Sequence, residues 1–244
     1  MKPITFILAA FAALAGVRDA AAKPGYSITG DFTFASKNVF RGVQNAGKSF
    51  QPSVEFVTGG LNAGVWTNQP GTKREHDEVD LYAGYTYSVN SALKFDSVAT
   101  FYWYPEARKT LGETQRTYEA GVSATYSAGG FASNLYYYHD FRLGSDTLEA
   151  AIGYSVPVGN AWSVDTGVFC AGVAAQDAAP DAGGPVVHDR YTYYGVEVNV
   201  PYRLNARASV TIGVHYADTH GLRAAKGSAG DNNLWYTAGV SIGF

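Results

Sequence analysis

The sequence contains very few of the residues that build redox, disulfide and metal sites. Its 244 residues include a single cysteine, Cys170, and a single methionine. One cysteine cannot form a disulfide within the chain, and the paired-cysteine spacing of zinc sites does not occur. No Gly-rich phosphate loop follows a strand pattern, and the histidines share no metal-ligand spacing. These absences predict a protein with no metal site and no cofactor.

Charge and long apolar segments are also scarce. Charged residues make up 16% of the chain, and the net charge at pH 7 is −3. No large positive field is available to attract phosphates, so we expect no nucleic-acid partner. Beyond the N-terminus no segment reaches the roughly 20 apolar residues that a transmembrane helix requires. Any membrane span must therefore consist of strands.

The N-terminus has the layout of a secretory signal. Lys2 is followed by an apolar stretch from Ile4 to Val17 and then by the small residues Ala20, Ala21 and Ala22. A short positive segment, an apolar core and a small-residue cleavage site define a signal peptide. We predict a signal peptide over residues 1–22 and an exported domain over 23–244.

From Tyr26 onward the sequence alternates apolar with small or polar residues. In the last stretch Leu234, Tyr236 and Phe244 share one face, while Gly239 and Ser241 lie on the other. A period of two indicates β-strands. Similar stretches run over Tyr26–Phe34, Phe50–Thr58, Leu61–Asn68, Val79–Tyr87, Leu93–Trp103, Thr117–Tyr126, Phe131–Asp140, Leu148–Val156, Trp162–Val173, Tyr191–Val200, Arg207–Tyr216 and Leu234–Phe244. About ten tilted residues suffice to cross a membrane.

The connections between these stretches alternate strictly between short and long. Short turns with longer loops on the opposite side are typical of outer-membrane barrels. We therefore predict an all-β fold, a transmembrane antiparallel up-and-down β-barrel of about twelve strands with short periplasmic turns and longer extracellular loops. The location would be the bacterial outer membrane, with outer-membrane lipid around the barrel. Phe244 and Tyr236 resemble the C-terminal signal that the barrel-assembly machinery recognises during insertion.

Acidic residues recur on the face opposite the apolar one. They are Asp31, Glu55, Asp80, Asp96, Glu119, Glu149, Asp165 and Glu197. Carboxylates cannot face hydrocarbon cheaply, so we expect them to line the lumen. Two interpretations remain open. The acids could line a water-filled path that favours cations, or they could be bound into a packed lumen by tyrosine and arginine networks.

The first long connection, residues 35–49, is unusually apolar for an exposed loop. Val39, Phe40 and Val43 favour burial, which predicts that the loop either extends the strand or folds into the barrel mouth. This movement would carry Arg41 towards Asp31 and Glu55, where a guanidinium can pair with carboxylates. We predict a constriction formed by Phe40 and Arg41. A purely structural arginine clamp remains an alternative.

The N-terminal third resembles a known family. Ser36–Gln44 (SKNVFRGVQ), Gln51–Val54 (QPSV), Leu61–Trp66 (LNAGVW) and Glu78–Tyr85 (EVDLYAGY) are similar to the start of TorF-type porins of Gram-negative bacteria. The resemblance implies an outer-membrane barrel with a transport role and names no substrate.

Three functions fit the pattern. We expect a non-enzymatic porin-like channel for passive diffusion of small solutes or ions, with a preference for cations from the acidic lumen. A non-conducting structural or adhesive barrel is the main alternative. An outer-membrane lipid-modifying enzyme is the third, because His139 lies near the outer end of a strand and could serve as a base.

Overall fold

The computed structural model describes residues 25–72, 75–107, 114–175, 189–221 and 232–244. The predicted signal peptide over residues 1–22 lies outside these ranges, as do parts of the longer connections. Within the described ranges, no helix is long and apolar enough to cross a membrane.

The elements of the described chain are β-strands. They are β1 Tyr26–Ala35, β2 Asn38–Phe40, β3 Val43–Ala46, β4 Ser49–Thr58, β5 Leu61–Pro70, β6 Glu78–Ser88, β7 Leu93–Trp103, β8 Arg116–Ala128, β9 Phe131–Asp140, β10 Ser145–Val158, β11 Trp162–Ala175, β12 Asp189–Arg203, β13 Ala208–His220 and β14 Asn232–Gly243. All except β2 and β3 form one closed antiparallel barrel of twelve strands, in which β1 pairs with β14 and with β4. The predicted all-β, up-and-down barrel is confirmed.

The seam between the first and last strands closes the barrel. Pairing of β1 with β14 runs from Thr29 opposite Gly243 to Ala35 opposite Thr237. A Cβ on Gly239 would collide with the hydroxyl of Thr33, so a glycine is required where these two strands approach. The small residues on the inner face of β14 therefore allow close packing at the seam.

Side chains alternate between an outer and an inner surface. On β10, Leu148 and Ile152 are exposed on the outside, whereas Thr147 and Glu149, which flank Leu148, are buried. This alternation follows from the strand period of two, because each strand has one face towards the surroundings and one towards the lumen. The outer surface is therefore a continuous apolar belt.

The two ends of the barrel differ in their connections. The connections 59–60, 89–92, 129–130, 159–161 and 204–207 lie at one end, here called the short-turn end, together with the end of β14. The opposite end, called the long-loop end, carries all the longer connections. Aromatic side chains surround the short-turn end, where Phe131 packs on Tyr154 with ring centroids 4.3 Å apart and Trp162 packs on Tyr202 at 4.4 Å. Such rings favour the interfacial level of a membrane.

The structure adds one element that the alternation pattern alone does not contain. Strands β2 and β3 form a small separate hairpin within the connection from β1 to β4, and Phe40 pairs with Val43 across its turn. Asn38, Val39, Phe40 and Arg41 are buried. The hairpin therefore lies inside the barrel rather than above it, as the apolar composition of this loop predicts.

Candidate functional site

The hairpin turn has a conformation that its sequence only partly favours. Arg41 has a φ of 49° and Gly42 a φ of 80°, so both residues of the two-residue turn are left-handed. Positive φ at both positions defines the type I′ turn that suits a tight hairpin. Glycine adopts this conformation freely, but for arginine it costs about 1–2 kcal/mol. Arg41 is held in a strained position at the hairpin tip.

The tip is docked tightly against strands β12 to β14 of the barrel wall. A Cβ on Gly42 would lie 2.6 Å from Cγ2 of Thr219 and 2.8 Å from Cβ of Tyr193, so only glycine fits. The side-chain amide of Asn233 donates a hydrogen bond of 3.0 Å to the carbonyl oxygen of Gly42. Strands β12, β13 and β14 therefore fix the tip by shape and by a backbone hydrogen bond.

One side of the hairpin is fixed by apolar packing. Val39 belongs to a buried cluster with residues of β10 to β14, namely Ala151, Phe169, Ala171, Val173, Tyr193, Ala217 and Trp235. Burial of an apolar side chain of this size contributes about 1.5–3 kcal/mol. The hairpin is therefore anchored to the part of the wall that runs from β14, the neighbour of β1, to β10.

Arg41 forms a buried ion pair at the centre of the lumen. Its Nη2 lies 2.8 Å from Oε2 of Glu119 on β8, and both side chains are almost fully buried. The second oxygen of Glu119 accepts a hydrogen bond of 3.0 Å from the hydroxyl of Tyr102. The guanidinium carbon also lies 4.5 Å from the ring centroid of Phe40 and 5.1 Å from that of Tyr138. A carboxylate and two aromatic faces therefore surround the cation.

A second carboxylate lies near the same guanidinium. Glu149 on β10 is within electrostatic range of Arg41 and accepts a short hydrogen bond from the hydroxyl of Tyr193. A small cleft borders the ion pair and is lined by Phe40, Arg41, Tyr102, Glu119, Asp140, Leu143 and Ser145. This cleft extends towards the β9–β10 connection at the long-loop end.

Most of the other inward carboxylates are paired with hydroxyl groups. Thr33 donates to Asp31 at 2.7 Å, Tyr82 to Glu55 at 3.1 Å and Ser155 to Asp165 at 2.6 Å. Asp96 accepts hydrogen bonds from Thr86 at 2.6 Å and from Ser123 at 3.3 Å. A hydroxyl group stabilises a carboxylate without neutralising it.

Two further acids lie on the inner wall near the long-loop end. The hydroxyl of Tyr104, in the β7–β8 connection, donates to Glu78 at 2.7 Å. Burial, with Glu78 beside it, raises the pKa of Tyr104 well above its ordinary value, so this hydroxyl keeps its proton and remains a donor. Asp140 accepts hydrogen bonds from the hydroxyl of Thr117 at 2.5 Å and from the backbone amides of Arg142 and Leu143.

A histidine lies beside the last of the predicted acids. Nδ1 of His215 is 3.5 Å from Oε2 of Glu197, and the imidazole stacks on Trp235 with centroids 5.1 Å apart. Its Nε2 lies 3.0 Å from the hydroxyl of Thr237. Among the described residues, no three His, Cys, Asp or Glu side chains are grouped so that they could hold a metal ion.

The inward residues differ in exposure. Trp66, Asp80, Tyr102 and Glu119 are all buried. Asp31, Glu55 and Asp96 are only half-buried.

The sequence-predicted acids all occupy inward positions, but they are not brought together at one point. Glu119 pairs with Arg41 and Glu149 accepts a hydrogen bond from Tyr193, whereas Asp31, Glu55, Asp80, Asp96, Asp165 and Glu197 are distributed around the wall. The expected pairing of Arg41 with Asp31 and Glu55 is wrong. The hairpin carries the guanidinium across the lumen to β8, and Asp31 and Glu55 accept from Thr33 and Tyr82 instead.

Sequence reasoning missed Tyr193, Asn233, Glu78 and Asp140 as parts of the inner network. Nothing local marks the first two, because their roles depend on a hairpin more than a hundred residues away. The hairpin itself has a local signal in the sequence. Arg41-Gly42 places a glycine at the second position of a two-residue turn, and apolar residues flank it on both sides.

His139, which could serve as a base only in the enzyme alternative, lies on the outer surface. Its Nδ1 is 2.8 Å from Oδ1 of Asp146, and the hydroxyl of Tyr137 donates to the same oxygen at 2.6 Å. Binding to Tyr137 and His139 lowers the pKa of Asp146, which lies at the long-loop end of β10. Phe244 and Tyr236 are exposed on the outer surface, with Phe244 71% accessible.

Three solved porins have a fold similar to that of this chain. The KdgM porin aligns with a TM-score of 0.55 and 11% identity, covering 89% of this chain and 99% of the porin. The KdgM porin in complex with disordered oligogalacturonate aligns with a TM-score of 0.56 and 10% identity, covering 89% of this chain and 99% of the porin. The NanC porin aligns with a TM-score of 0.54 and 11% identity, covering 89% of this chain and 98% of the porin. At these identities the likeness establishes the fold.

At the level of sequence, no curated protein matches the chain. The resemblance to TorF-type porins stays a prediction. A family model described as "Bacterial protein of unknown function (Gcw_chp)" matches residues 19–227. The chain therefore belongs to the Gcw_chp family of bacterial proteins.

Proposed function

We propose that the protein is a porin-like channel of the bacterial outer membrane through which small solutes and ions, cations above all, diffuse passively. The observation that carries this proposal is the inner surface of the closed barrel, where the carboxylates of Asp31, Glu55, Asp96 and Asp165 accept hydrogen bonds from hydroxyl groups. Rings of carboxylates favour cations in channels.

The balance of charge inside the barrel supports the cation preference. Inward acids on the strands are Asp31, Glu55, Glu78, Asp80, Asp96, Glu119, Asp140, Glu149, Asp165 and Glu197, and the inward bases include Lys94 and His215. Arg41 adds one positive charge from the hairpin and pairs with Glu119. At these inward positions acids outnumber bases, and an excess of carboxylates raises the local concentration of cations.

The same potential disfavours polyanions. One of the matched porins was solved in complex with oligogalacturonate, a chain of carboxylated sugars. Such a ligand would be repelled by the acids of this lumen. We therefore expect the present channel to differ from that porin in the sign of the charge it prefers.

The hairpin provides the constriction in this proposal. Phe40 and Arg41 are buried inside the barrel, and the half-buried Asp31, Glu55 and Asp96 form an acidic entrance on the short-turn side. We infer that the short-turn end faces the periplasm and the long-loop end the exterior. Insertion by the barrel-assembly machinery would then use Phe244 and Tyr236, and lipid would surround the apolar belt.

One observation favours a non-conducting barrel as the second candidate. The side chains around the hairpin tip are buried, which is what a structural plug requires. For a lipid-modifying enzyme, the outward pair of His139 and Asp146 is the relevant feature. The hydroxyl of Tyr137 donates to Asp146, and the imidazole of His139 packs against the ring of Phe141. These contacts give the pair a structural role at the rim of the barrel.

Reconstitution in a planar bilayer under a gradient of KCl tests the proposal. We expect ohmic conductance with a reversal potential of the sign that marks cation preference. Anion preference would contradict the role of the carboxylates. Silence of a barrel shown to be folded and inserted would support the structural plug instead.

A further inference from the structure

The hairpin tip places a guanidinium in a site that has the chemistry of a cation receptor. We propose that the lumen contains a binding site for guanidinium-type and other small organic cations, built by Glu119, Glu149, Tyr102, Tyr138 and Tyr193, and that Arg41 is its tethered occupant. This inference rests on the proposed function only in requiring that solutes reach the lumen.

The chemistry of the site matches this class of ligand. Glu119 receives one N–H of the guanidinium at 2.8 Å, and the ring of Tyr138 lies 5.1 Å from the guanidinium carbon. A carboxylate binds a planar guanidinium directionally, and an aromatic face attracts a cation within about 6 Å. A neutral or anionic solute gains neither interaction.

The site is built by the barrel wall and not by the hairpin. Glu119, Glu149, Tyr102, Tyr138 and Tyr193 belong to five strands of the closed sheet, β7, β8, β9, β10 and β12. Contacts within the wall fix their side chains. Tyr102 donates to Glu119 and Tyr193 donates to Glu149. Tyr138 stacks on the neighbouring Tyr136, with ring centroids 6.0 Å apart. The site should therefore keep its shape when the arginine side chain is removed.

The occupant, in contrast, is attached through a strained segment. Arg41 has a left-handed backbone that costs a non-glycine residue free energy, and the hairpin has a register shift between Asn38 and Val39. Strained residues persist where the surroundings hold them and often mark functional positions. A free cation of the same chemistry would not carry this strain.

The site lies next to the β9–β10 connection. Asp140, Leu143 and Ser145, at and within the ends of this connection, border the ion pair together with Phe40 and Tyr102. The connection is at the long-loop end, so the space that the Arg41 side chain fills is adjacent to that end of the barrel.

The test is chemical rescue of Arg41→Ala in the refolded full chain. Guanidinium chloride at low millimolar concentration is the probe, urea is the neutral molecule of the same shape, and NaCl supplies equal ionic strength. We expect guanidinium to raise the melting temperature of Arg41→Ala and to reduce its conductance. The half-effective concentration should be at least about tenfold lower than for the wild type, in which the site is occupied.

Three comparisons make the result specific. Urea should have no such effect. The double variant Arg41→Ala/Glu119→Gln should lose the response, because the carboxylate is gone. Lys48→Ala removes an exposed positive charge from the same loop and should respond as the wild type does. Equal responses of all variants, or equal effects of urea and guanidinium, would overturn the proposal.

The two proposals fail in different ways. A conducting Arg41→Ala channel with no response to guanidinium in either measurement removes the receptor site and leaves the porin function intact. A barrel that does not conduct but whose melting temperature still rises with guanidinium would support the receptor site and contradict the channel function. If Arg41→Ala does not refold, Arg41→Asn serves in its place, because asparagine suits the left-handed turn position.

Discussion

The guanidinium of Arg41 lies 2.8 Å from the carboxylate of Glu119, a residue 78 positions away in the sequence. Both side chains are buried, so neither charge is well solvated by water. Removal of one partner of a buried pair leaves an uncompensated charge in the interior. The docked position of the hairpin therefore depends on the carboxylate of Glu119, and burial of that carboxylate depends on the guanidinium of Arg41.

Glu119→Gln should destabilise the barrel strongly. The change leaves Arg41 buried without its carboxylate, at an expected cost of about 3–5 kcal/mol. Unfolding by urea in lipid vesicles measures this loss. Asp218→Asn is the control, because Asp218 lies near the rim, where it accepts hydrogen bonds from the outward hydroxyls of Tyr194 and Tyr216.

A double-mutant cycle adds a sharper criterion. The effects of Arg41→Ala and Glu119→Gln should not add, since each removes the same interaction. Strict additivity would show that the two residues are energetically independent.

Gly42→Ala should release the hairpin without changing any charge. The added Cβ would lie 2.6 Å from Thr219 and 2.8 Å from Tyr193, and the φ of 80° disfavours alanine as well. We expect a larger conductance with little change in ion selectivity. Gly47→Ala in the same connection is the matched control, because its Cβ would lie at an ordinary 3.5 Å from Glu75. Identical single-channel currents in the two variants would argue against a hairpin constriction.

The strands of the barrel are predictable because each strand has one face towards the apolar surroundings and one towards the polar lumen. Alternation predicts β7 as Leu93–Trp103 and β9 as Phe131–Asp140, the bounds found in the structure. Other strands extend further, such as β10, which begins at Ser145 rather than at Leu148. The extension contains Asp146 on the outer face, where the apolar pattern has already ended.

The interior is less predictable because its contacts are not local. Burial of Phe40 and Arg41 follows from the apolar first loop, but the partner of Arg41 depends on how far the hairpin crosses the lumen. That distance is set by Val39, which packs against β10 to β14, and by Asn233, which binds Gly42. No sequence period records such contacts.

Neutralising the acidic entrance should weaken cation selectivity. Asp31 and Glu55 are half-buried and are paired with hydroxyl groups of Thr33 and Tyr82. Asp31→Asn/Glu55→Gln keeps the hydrogen-bonding shape and removes two charges. Under a KCl gradient the reversal potential should move towards zero. Asp218→Asn, which removes a carboxylate from the outer surface, should leave it where it is.

Adjacent residues of β13 should respond in opposite ways to the same substitution. Ile212 is exposed on the apolar outer surface, whereas Thr211 faces the acidic interior and is half-buried. Ile212→Arg should destabilise the barrel in lipid vesicles by up to about 2–4 kcal/mol, because a charge is placed in hydrocarbon. Thr211→Arg should have a much smaller effect, since the lumen is polar and contains carboxylates. Equal losses would mean that the two faces are assigned wrongly.

The terminal aromatic should matter more for assembly than for stability. Phe244 is 71% accessible and is tied to the barrel by its backbone amide, which donates to the carbonyl of Ile28 at 2.9 Å. Phe244→Ala keeps this hydrogen bond and removes only an outward ring, so we expect a loss of unfolding free energy no larger than about 1–2 kcal/mol. The amount of folded barrel in cell membranes should fall far more, and Tyr236→Ala should have the same direction of effect. Phe131→Ala is the matched control, because Phe131 is an exposed aromatic of the same end that does not terminate the chain. If Phe244→Ala and Phe131→Ala reduce membrane levels equally, the terminal residue acts only through the interfacial packing of its ring.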